Sequence, residues 1–287
     1  MQTYATTNEA VSSRFEACKV CGAADLLLED AESDLVRCPK CNFVFAGRGY
    51  TPEELTELYG QLYTPGGEYD MHLRQLADLR DRGCTRIGFD REFVLRNLLR
   101  HRPQNVVELG AGVGIVAAWL RAKHVSYRGF EFNPDVAGQA RELGLPIRPG
   151  DHTSLRRLPE PVDAVVAFEV IEHVPDIGEC LESIRGALQP GGLFAFTTPN
   201  YDKRLNNPDH RVLGQPGPPI HLNFWNAASL RQTLHRYGFS TVILRERKRP
   251  FVDSRYWKSC LRSYARWLVG KNHGNVLICI ARSKRAQ

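Results

Sequence analysis

Long apolar runs are missing from this sequence of 287 residues, so a membrane-spanning helix, which needs roughly twenty such residues in a row, is not expected. The N-terminal segment also has no apolar run, which predicts no signal peptide and a cytoplasmic protein. We find no internal repeat or low-complexity tract. Hydrophobic residues make up 43% and charged residues 24% of the chain, which excludes disorder, collagen-like and coiled-coil classes.

Negative charge is scarce near the C-terminus. Residues 245–287 contain twelve Lys or Arg but only two acidic residues, a net of +10, although the whole chain carries +6. A local excess of this kind indicates either a face for an acidic partner or a solubilising surface whose counter-charges lie elsewhere. Acidic partners that such a face could bind are a phosphate, a nucleic acid or a membrane surface.

Four of the eight cysteines form two C-x-x-C pairs, with sixteen residues between the pairs. In a reducing compartment such pairs favour a metal site over disulfides, and four thiolates match the tetrahedral preference of Zn²⁺. Strand-like residues enter and leave the second pair, as in a zinc ribbon. A redox dithiol pair and an iron–sulfur cluster are the alternatives, although the spacing suits a cluster poorly. The predicted ligands of a structural zinc are Cys18, Cys21, Cys38 and Cys41.

After the predicted ribbon, Thr51, Pro52 and Glu54 form a capping box that predicts a helix to about residue 63.

From residue 86 onward, helical and strand patterns alternate. This alternation predicts an α/β fold with a doubly wound, mostly parallel sheet and helices on both faces. Predicted helices cover 86–101, 115–123, 134–143, 177–188 and 227–237, and predicted strands cover 105–109, 127–132, 162–168, 192–198, 239–246 and 274–281.

Functional side chains cluster where the predicted strands end. Ligands of open α/β sheets bind at that edge, and glycines in the first strand–helix turn let a ligand approach the backbone. Glu131 ends the second strand, where a carboxylate accepts hydrogen bonds from a ribose diol, and Asp151 can reach an adenine amino group. The dinucleotide fingerprint requires Gly or Ala at position 115, but Ile115 is present, which disfavours a nicotinamide cofactor.

The runs ELGAGVG, GFEFN, GD, VVAFEVIEHV and PGGLFAFTTPN, in this order, resemble class I S-adenosylmethionine-dependent methyltransferases over about 180 residues. The EVIEHV and TTPN runs are similar to the branch that modifies quinone precursors, sugars and natural products. The resemblance implies a seven-stranded Rossmann-like sheet, S-adenosylmethionine as cofactor and S-adenosylhomocysteine as product. The cofactor-binding positions that it implies are Glu108, Gly110, Gly112, Gly114, Glu131, Phe132, Asp151, His152, Phe168 and Glu169.

Methyl transfer to an alcohol needs a base, and two histidines are candidates. His173 follows the fourth strand, where the acceptor is expected, and histidine titrates near neutral pH. His221 ends a Pro- and Gly-rich loop that is long enough to cover an acceptor. Either histidine could instead have a purely structural role. The expected acceptor is a small molecule, in particular a hydroxyl of a sugar or natural-product intermediate.

The main alternative is an RNA methyltransferase that holds nucleic acid with the zinc ribbon and the basic C-terminal region, because residues 245–287 mix basic and aromatic side chains. The stretch from Tyr256 to Val269 also reads as an amphipathic helix, which could pack on the domain, cover the acceptor or rest on a membrane surface. A cofactor-binding protein without activity is a third possibility. The predicted organisation is a zinc ribbon over 1–48, a helical connector over 49–85 and a methyltransferase domain over 86–287, with a helical insertion at 250–272.

Overall fold

A computed structural model describes residues 13–51, 53–55, 57, 68–83, 86–202, 216–246, 257–269 and 274–284. Most of the helix predicted after Thr51 and most of the loop before His221 lie outside these residues. The capping box itself is present: the Glu54 N–H donates to Thr51 Oγ1 over 3.2 Å, and the Thr51 N–H donates to Glu54 Oε2 over 2.7 Å. This part of the sequence-based prediction is therefore confirmed.

The described elements are named here in chain order. The strands are β1 (Leu27–Asp30), β2 (Leu35–Arg37), β3 (Val44–Ala46), β4 (Asn105–Leu109), β5 (Ser126–Glu131), β6 (Ile147–Pro149), β7 (Val162–Phe168), β8 (Leu188–Pro199), β9 (Asn223–Phe224), β10 (Phe239–Glu246) and β11 (Val276–Ser283). The helices are α1 (Glu68–Arg82), α2 (Phe89–Leu99), α3 (Ile115–Arg121), α4 (Pro134–Glu142), α5 (Ile177–Ala187), α6 (Ala227–Arg236) and α7 (Trp257–Leu268).

Seven strands form the main sheet in the order β10-β11-β8-β7-β4-β5-β6. The five strands from β8 to β6 are parallel, whereas β11 lies antiparallel between β8 and β10. Strand order reverses between β4 and β7, which creates a crevice at their carboxyl ends. The predicted doubly wound, mostly parallel sheet is confirmed, because the apolar strands are buried between helices on both faces.

Helix α2 differs in detail from the pattern that predicted it. Val94, Leu95 and Leu98 are its buried residues, whereas Phe89 is 49% exposed. The helix begins only at Phe89, directly after Gly88, whose φ is 79°. Its buried side joins one of the two cores that cover the main sheet.

A second, antiparallel sheet has the order β1-β2-β3-β9. Its first three strands follow the first cysteine pair, but β9 comes from far along the chain, with Val44 paired to Phe224. Phe43 stacks on Phe45 and lies 5.2 Å from the ring of Trp225. The cysteine-containing segment and the main sheet therefore share one hydrophobic core.

The amphipathic pattern near the C-terminus does form a helix, α7. Its apolar side chains remain solvent-accessible: Trp257 and Leu261 are each 60% exposed, and Leu268 is 74% exposed. The described part of the chain therefore leaves this face of α7 largely uncovered. Among the described residues, no helix combines the length and the apolar character that a membrane crossing requires.

Candidate active site

The Glu131 carboxylate connects the glycine-rich turn after β4 to the end of β5 by hydrogen bonds. The Gly112 N–H donates to Glu131 Oε2 over 2.8 Å, and the Asn133 N–H donates to Oε1 over 2.9 Å. Burial raises the pKa of Glu131, and the N–H donors of Asn133 and Gly112 oppose that rise. Each carboxylate oxygen has a second lone pair, so both can accept a hydroxyl hydrogen bond from a diol.

The glycines of this turn have different surroundings. A Cβ at Gly114 would lie 2.4 Å from Leu145 Cδ1, and one at Gly110 would lie 2.4 Å from Val170 Cγ2. At Gly112, where φ is +53°, the nearest atom within 4 Å is His72 Nε2 at 4.0 Å. Gly110 and Gly114 thus permit close packing inside the protein, whereas Gly112 borders open space that a ligand can enter.

Glu108 precedes the turn but its side chain is directed elsewhere. It is 2% exposed and accepts a hydrogen bond from the Tyr127 hydroxyl on β5. Burial raises the pKa of Glu108 to about 8, although the Tyr127 hydroxyl and the positive charge of Arg91 oppose the rise. The carboxyl of Glu108 therefore joins β4 to β5 beneath the turn.

Three further positions of the predicted cofactor site follow the carboxyl ends of β5 and β6. The Asp151 carboxylate accepts from the N–H and hydroxyl of Thr153 at 2.8 and 2.6 Å. Burial raises the Asp151 pKa, but these hydrogen bonds outweigh it and the net shift is downward. His152 Nε2 lies 3.5 Å from Glu179 Oε2. Phe132 follows Glu131 and is 55% exposed.

The end of β7 contributes an apolar ring and a carboxylate. Phe168 is buried, and the Arg91 guanidinium lies 5.9 Å from its ring centre. Glu169 has a left-handed backbone (φ 57°), a conformation that non-glycine residues rarely adopt outside functional turns. Desolvation by the surrounding protein raises the pKa of Glu169 although the residue is partly open to solvent, and a Thr197 hydrogen bond and the charge of Arg91 act in the opposite direction.

The two candidate base residues lie side by side. The rings of His173 and His221 are 4.8 Å apart between centroids and meet edge to face. His173 Nδ1 lies 2.9 Å from the Ile220 carbonyl oxygen, which only accepts, so Nδ1 carries the proton. In the neutral ring, Nε2 then has the lone pair. The structure thus brings together two residues that are 48 positions apart.

The four cysteines of the C-x-x-C pairs also converge. The sulfur atoms of Cys18 and Cys41 are 3.6 Å apart, those of Cys21 and Cys38 are 3.5 Å apart, and all four lie within 4.8 Å of one another. Tetrahedral zinc with bonds of about 2.3 Å separates its thiolates by about 3.8 Å. The arrangement is compatible with a zinc ribbon.

Both cysteine turns have the same backbone pattern. The Cys18 N–H donates to Ala23 over 2.9 Å, and the Cys38 N–H donates to Phe43 over 2.9 Å. The residue after each pair, Gly22 or Asn42, has a left-handed backbone. Two matching turns of this kind deliver their thiolates to one point from opposite sides.

Sequence reasoning missed three residues that the structure places here. His72 on α1 faces Gly112, and Arg91 on α2 acts on Glu108 and Glu169. Both helices precede the first strand of the main sheet, so no motif marked them. Glu172 lies within the EVIEHV run. Its position next to His173 was the only sequence feature that could have indicated a functional carboxyl there.

Comparison with known proteins assigns the class of this fold and site. A family model described as a methyltransferase domain matches residues 76–244, and the chain belongs to this family. The chain is 32% identical over 163 residues to a probable S-adenosylmethionine-dependent methyltransferase of Mycolicibacterium smegmatis, covering 53% of this chain and 58% of the relative. It is also 31% identical over 139 residues to a ubiquinone biosynthesis O-methyltransferase of a Methylobacterium species, covering 45% and 53%.

A longer match joins the chain to the C-methyltransferase NovU of Streptomyces niveus, at 24% identity over 222 residues, 73% of this chain and 47% of NovU. The chain spans about half the length of the curated relatives it matches. Among solved structures, a methyltransferase from the Haloferax volcanii Trm112 activator complex shares the fold, with a TM-score of 0.54 and 18% identity, over 77% of this chain and 97% of that one. The plantazolicin methyltransferase BamL has a TM-score of 0.53 and 11% identity, over 80% and 96%.

Proposed function

We propose that this protein transfers a methyl group from S-adenosylmethionine to a small molecule, in particular to a hydroxyl of a sugar or natural-product intermediate. One observation carries the proposal: the Glu131 carboxylate faces the Gly112 turn at the carboxyl ends of β4 and β5. The names of the ubiquinone and NovU relatives support a small-molecule acceptor. The structure of BamL was solved with S-adenosylhomocysteine, which supports the proposed product.

The residues present fit the cofactor. Gly112 leaves room where a Cβ would stand, and Glu131 has oxygen lone pairs for the ribose hydroxyls. Asp151 and His152 flank the adenine end, and Phe132, Phe168 and Glu169 complete the surroundings. When bound, S-adenosylmethionine supplies an electrophilic methyl carbon on a positively charged sulfur.

The protein's own contribution is to position the acceptor and to accept its proton. His173 suits this task because Nδ1 donates to the Ile220 carbonyl, which leaves the lone pair on Nε2. His221, at 4.8 Å, can share the proton or orient the acceptor. Both histidines are 25% exposed or less, so the acceptor reaches them in a site with little water.

We also propose that Cys18, Cys21, Cys38 and Cys41 hold one structural zinc. Four protein ligands close the site, so the ion would stabilise the fold and take no part in catalysis. Within this proposal the chain consists of the ribbon (1–48), the connector (49–85) and the methyltransferase domain (86–287, with the insertion at 250–272). Pairing of β3 with β9 joins the ribbon to the domain.

Methylation of RNA is the second candidate function. The observation that favours it is helix α7, whose exposed Trp257, Tyr264 and Trp267 could stack on bases. Lys258 Nζ lies 5.6 Å from the centre of the Trp257 ring and could contact a phosphate. If basic side chains bind RNA phosphates, the affinity for RNA should fall steeply as the salt concentration rises.

One experiment separates the two functions. The purified protein is incubated with methyl-labelled S-adenosylmethionine and cell extract, and the label is then measured in metabolite, RNA and protein fractions. The proposal predicts label in the metabolite fraction that ribonuclease treatment does not remove. Ribonuclease-sensitive label would support the RNA alternative, and no transferred label would contradict both.

A further inference from the structure

Three side chains near the end of β7 direct ligand atoms toward the same space. Glu172 and His173 belong to the short 3-10 helix Ile171–His173, and His221 lies just before β9. One carboxylate oxygen and one ring nitrogen from each histidine lie within 4.8 Å of one another. Two imidazoles and a carboxylate on neighbouring segments are a common set of ligands for a divalent cation.

The carboxyl of Glu172 resembles a metal-binding carboxylate, because one oxygen accepts a hydrogen bond from the protein and the other has none in the described part of the chain. Its side chain is 1% exposed, and Oε2 accepts a hydrogen bond from the Thr198 hydroxyl over 3.0 Å. Oε1 is buried, has no hydrogen-bond partner among the described residues and lies 3.9 Å from His173 Nε2. A buried carboxylate oxygen without a hydrogen bond is unfavourable, and a cation would compensate it.

The orientation of His173 provides a second, independent observation. Ligating histidines usually donate their other ring N–H to a carbonyl or carboxylate, which fixes the tautomer. His173 does so, because Nδ1 donates to the Ile220 carbonyl over 2.9 Å. Its Nε2 therefore presents a lone pair on the side of Glu172.

We propose that Glu172, His173 and His221 bind one divalent first-row transition-metal cation. Three protein ligands leave open positions on a six-coordinate ion, which water and the oxygen of an acceptor can fill. This site is distinct from the four-cysteine cluster, whose ligands are all sulfur. The role of the cation in methyl transfer, though not its binding, rests on the function proposed above.

In that role the cation makes the acceptor hydroxyl more acidic. The hydroxyl oxygen coordinates the ion, its pKa falls and its proton passes to water. The oxygen lone pair then forms a bond to the methyl carbon, and the carbon–sulfur bond breaks with its electron pair remaining on sulfur. This route is the alternative to the base role of His173 given above: the single lone pair of Nε2 either ligates the cation, in which case water accepts the proton, or accepts the proton itself when no cation is bound.

The test is a Co²⁺ titration of the full chain, purified with zinc in the four-cysteine cluster. Bound Co²⁺ is counted by equilibrium dialysis, and its visible spectrum is recorded. We expect one Co²⁺ per chain with weak absorption bands and without the intense charge-transfer bands of thiolate ligands. Glu172→Gln, which keeps the side-chain shape, and His221→Ala should each weaken binding at least tenfold.

His235→Ala, which removes an exposed histidine on α6, is the matched control and should bind Co²⁺ as the wild type does. Circular dichroism verifies that each variant is folded. No Co²⁺ bound by the zinc-containing wild type, or unchanged affinity in Glu172→Gln and His221→Ala, would overturn the site. Co²⁺ binding without methyl transfer to any fraction would leave the site standing and contradict the proposed function, so the two failures are distinguishable.

Discussion

The backbone N–H of Leu222 donates to the carbonyl oxygen of Glu172 over 2.7 Å, which holds the segment of His221 against the segment of His173. Asn223 strengthens the connection, since its side-chain amide donates to the carbonyls of Ile171 and Val174 at 3.0 and 2.7 Å. Asn223 also begins β9, which pairs with β3 of the second, antiparallel sheet. The second sheet therefore supports the strand next to the two histidines.

Substitution of Asn223 should damage both stability and the site. Asn223→Ala removes a side-chain donor from the Ile171 and Val174 carbonyls in a position that is 1% exposed, and the expected loss is about 2 kcal/mol of unfolding free energy. Urea unfolding followed by fluorescence measures this loss. The exposed Asn105→Ala serves as the control and should change stability by less than about 0.5 kcal/mol. Equal stability of the two variants would contradict the role of Asn223.

Removal of a zinc ligand should affect the whole molecule. Cys38→Ser should lose about one zinc per chain and lower the unfolding temperature of the main domain, because Phe43 next to the cluster packs against Trp225. Metal analysis and thermal unfolding measure the two effects. Cys260→Ser, which alters a cysteine outside the cluster, should retain the zinc. Wild-type protein purified without zinc would refute the proposed metal site.

The difference between glycines predicts a selective loss of cofactor affinity. Gly112→Ala and Gly144→Ala each place a Cβ on a left-handed backbone, at φ +53° and +69°, with no atom closer than 4.0 Å. Both should cost about 1–2 kcal/mol of stability. Only Gly112→Ala should weaken S-adenosylmethionine binding, by tenfold or more, because its methyl group enters the proposed cofactor space. Equal affinities in a calorimetric titration would count against this pocket.

The buried Glu108 should make stability depend on pH. Its pKa is about 8 in the folded protein against 4.5 ordinarily, so between these values the folded state retains a proton that the unfolded state releases. The stabilisation is therefore complete below pH 4.5 and is lost as the pH rises toward 8, by up to about 1.4 kcal/mol per pH unit. Glu108→Gln still accepts the Tyr127 hydrogen bond but does not titrate. Unfolding curves of the two proteins should diverge from pH 5 to 8, and parallel curves would show that Glu108 ionises normally.

Local patterns sufficed for much of the fold. The parallel strands were predictable because β7 is apolar along most of its length and the glycine turn after β4 is marked in the sequence. The pairing of β3 with β9 was not, since two residues such as Asn223 and Phe224 carry no strand pattern of their own. The neighbouring Trp225 packs on Phe43, a contact between distant parts of the chain that no local pattern shows.

The candidate site was predictable in part for the same reason. Glu131 and His173 follow strands, so their location at the crevice could be inferred from topology. His72 and Arg91 reach the site from helices that precede the main sheet, and only tertiary packing brings them there. The hydrogen bond between His173 and Ile220 joins residues 47 positions apart, so no local spacing could indicate which ring nitrogen carries the proton.

The most direct test of the central claim is a calorimetric titration of S-adenosylmethionine into the wild type and into Glu131→Ala. Each hydrogen bond from a ribose hydroxyl to the carboxylate contributes about 1–2 kcal/mol, so the loss of both predicts binding weaker by about 100-fold. Glu142→Ala, which removes an exposed carboxylate at the end of α4, should bind as the wild type does. Wild-type affinity in Glu131→Ala, or no binding by the wild type, would contradict the assignment of this crevice as the methyl-donor site.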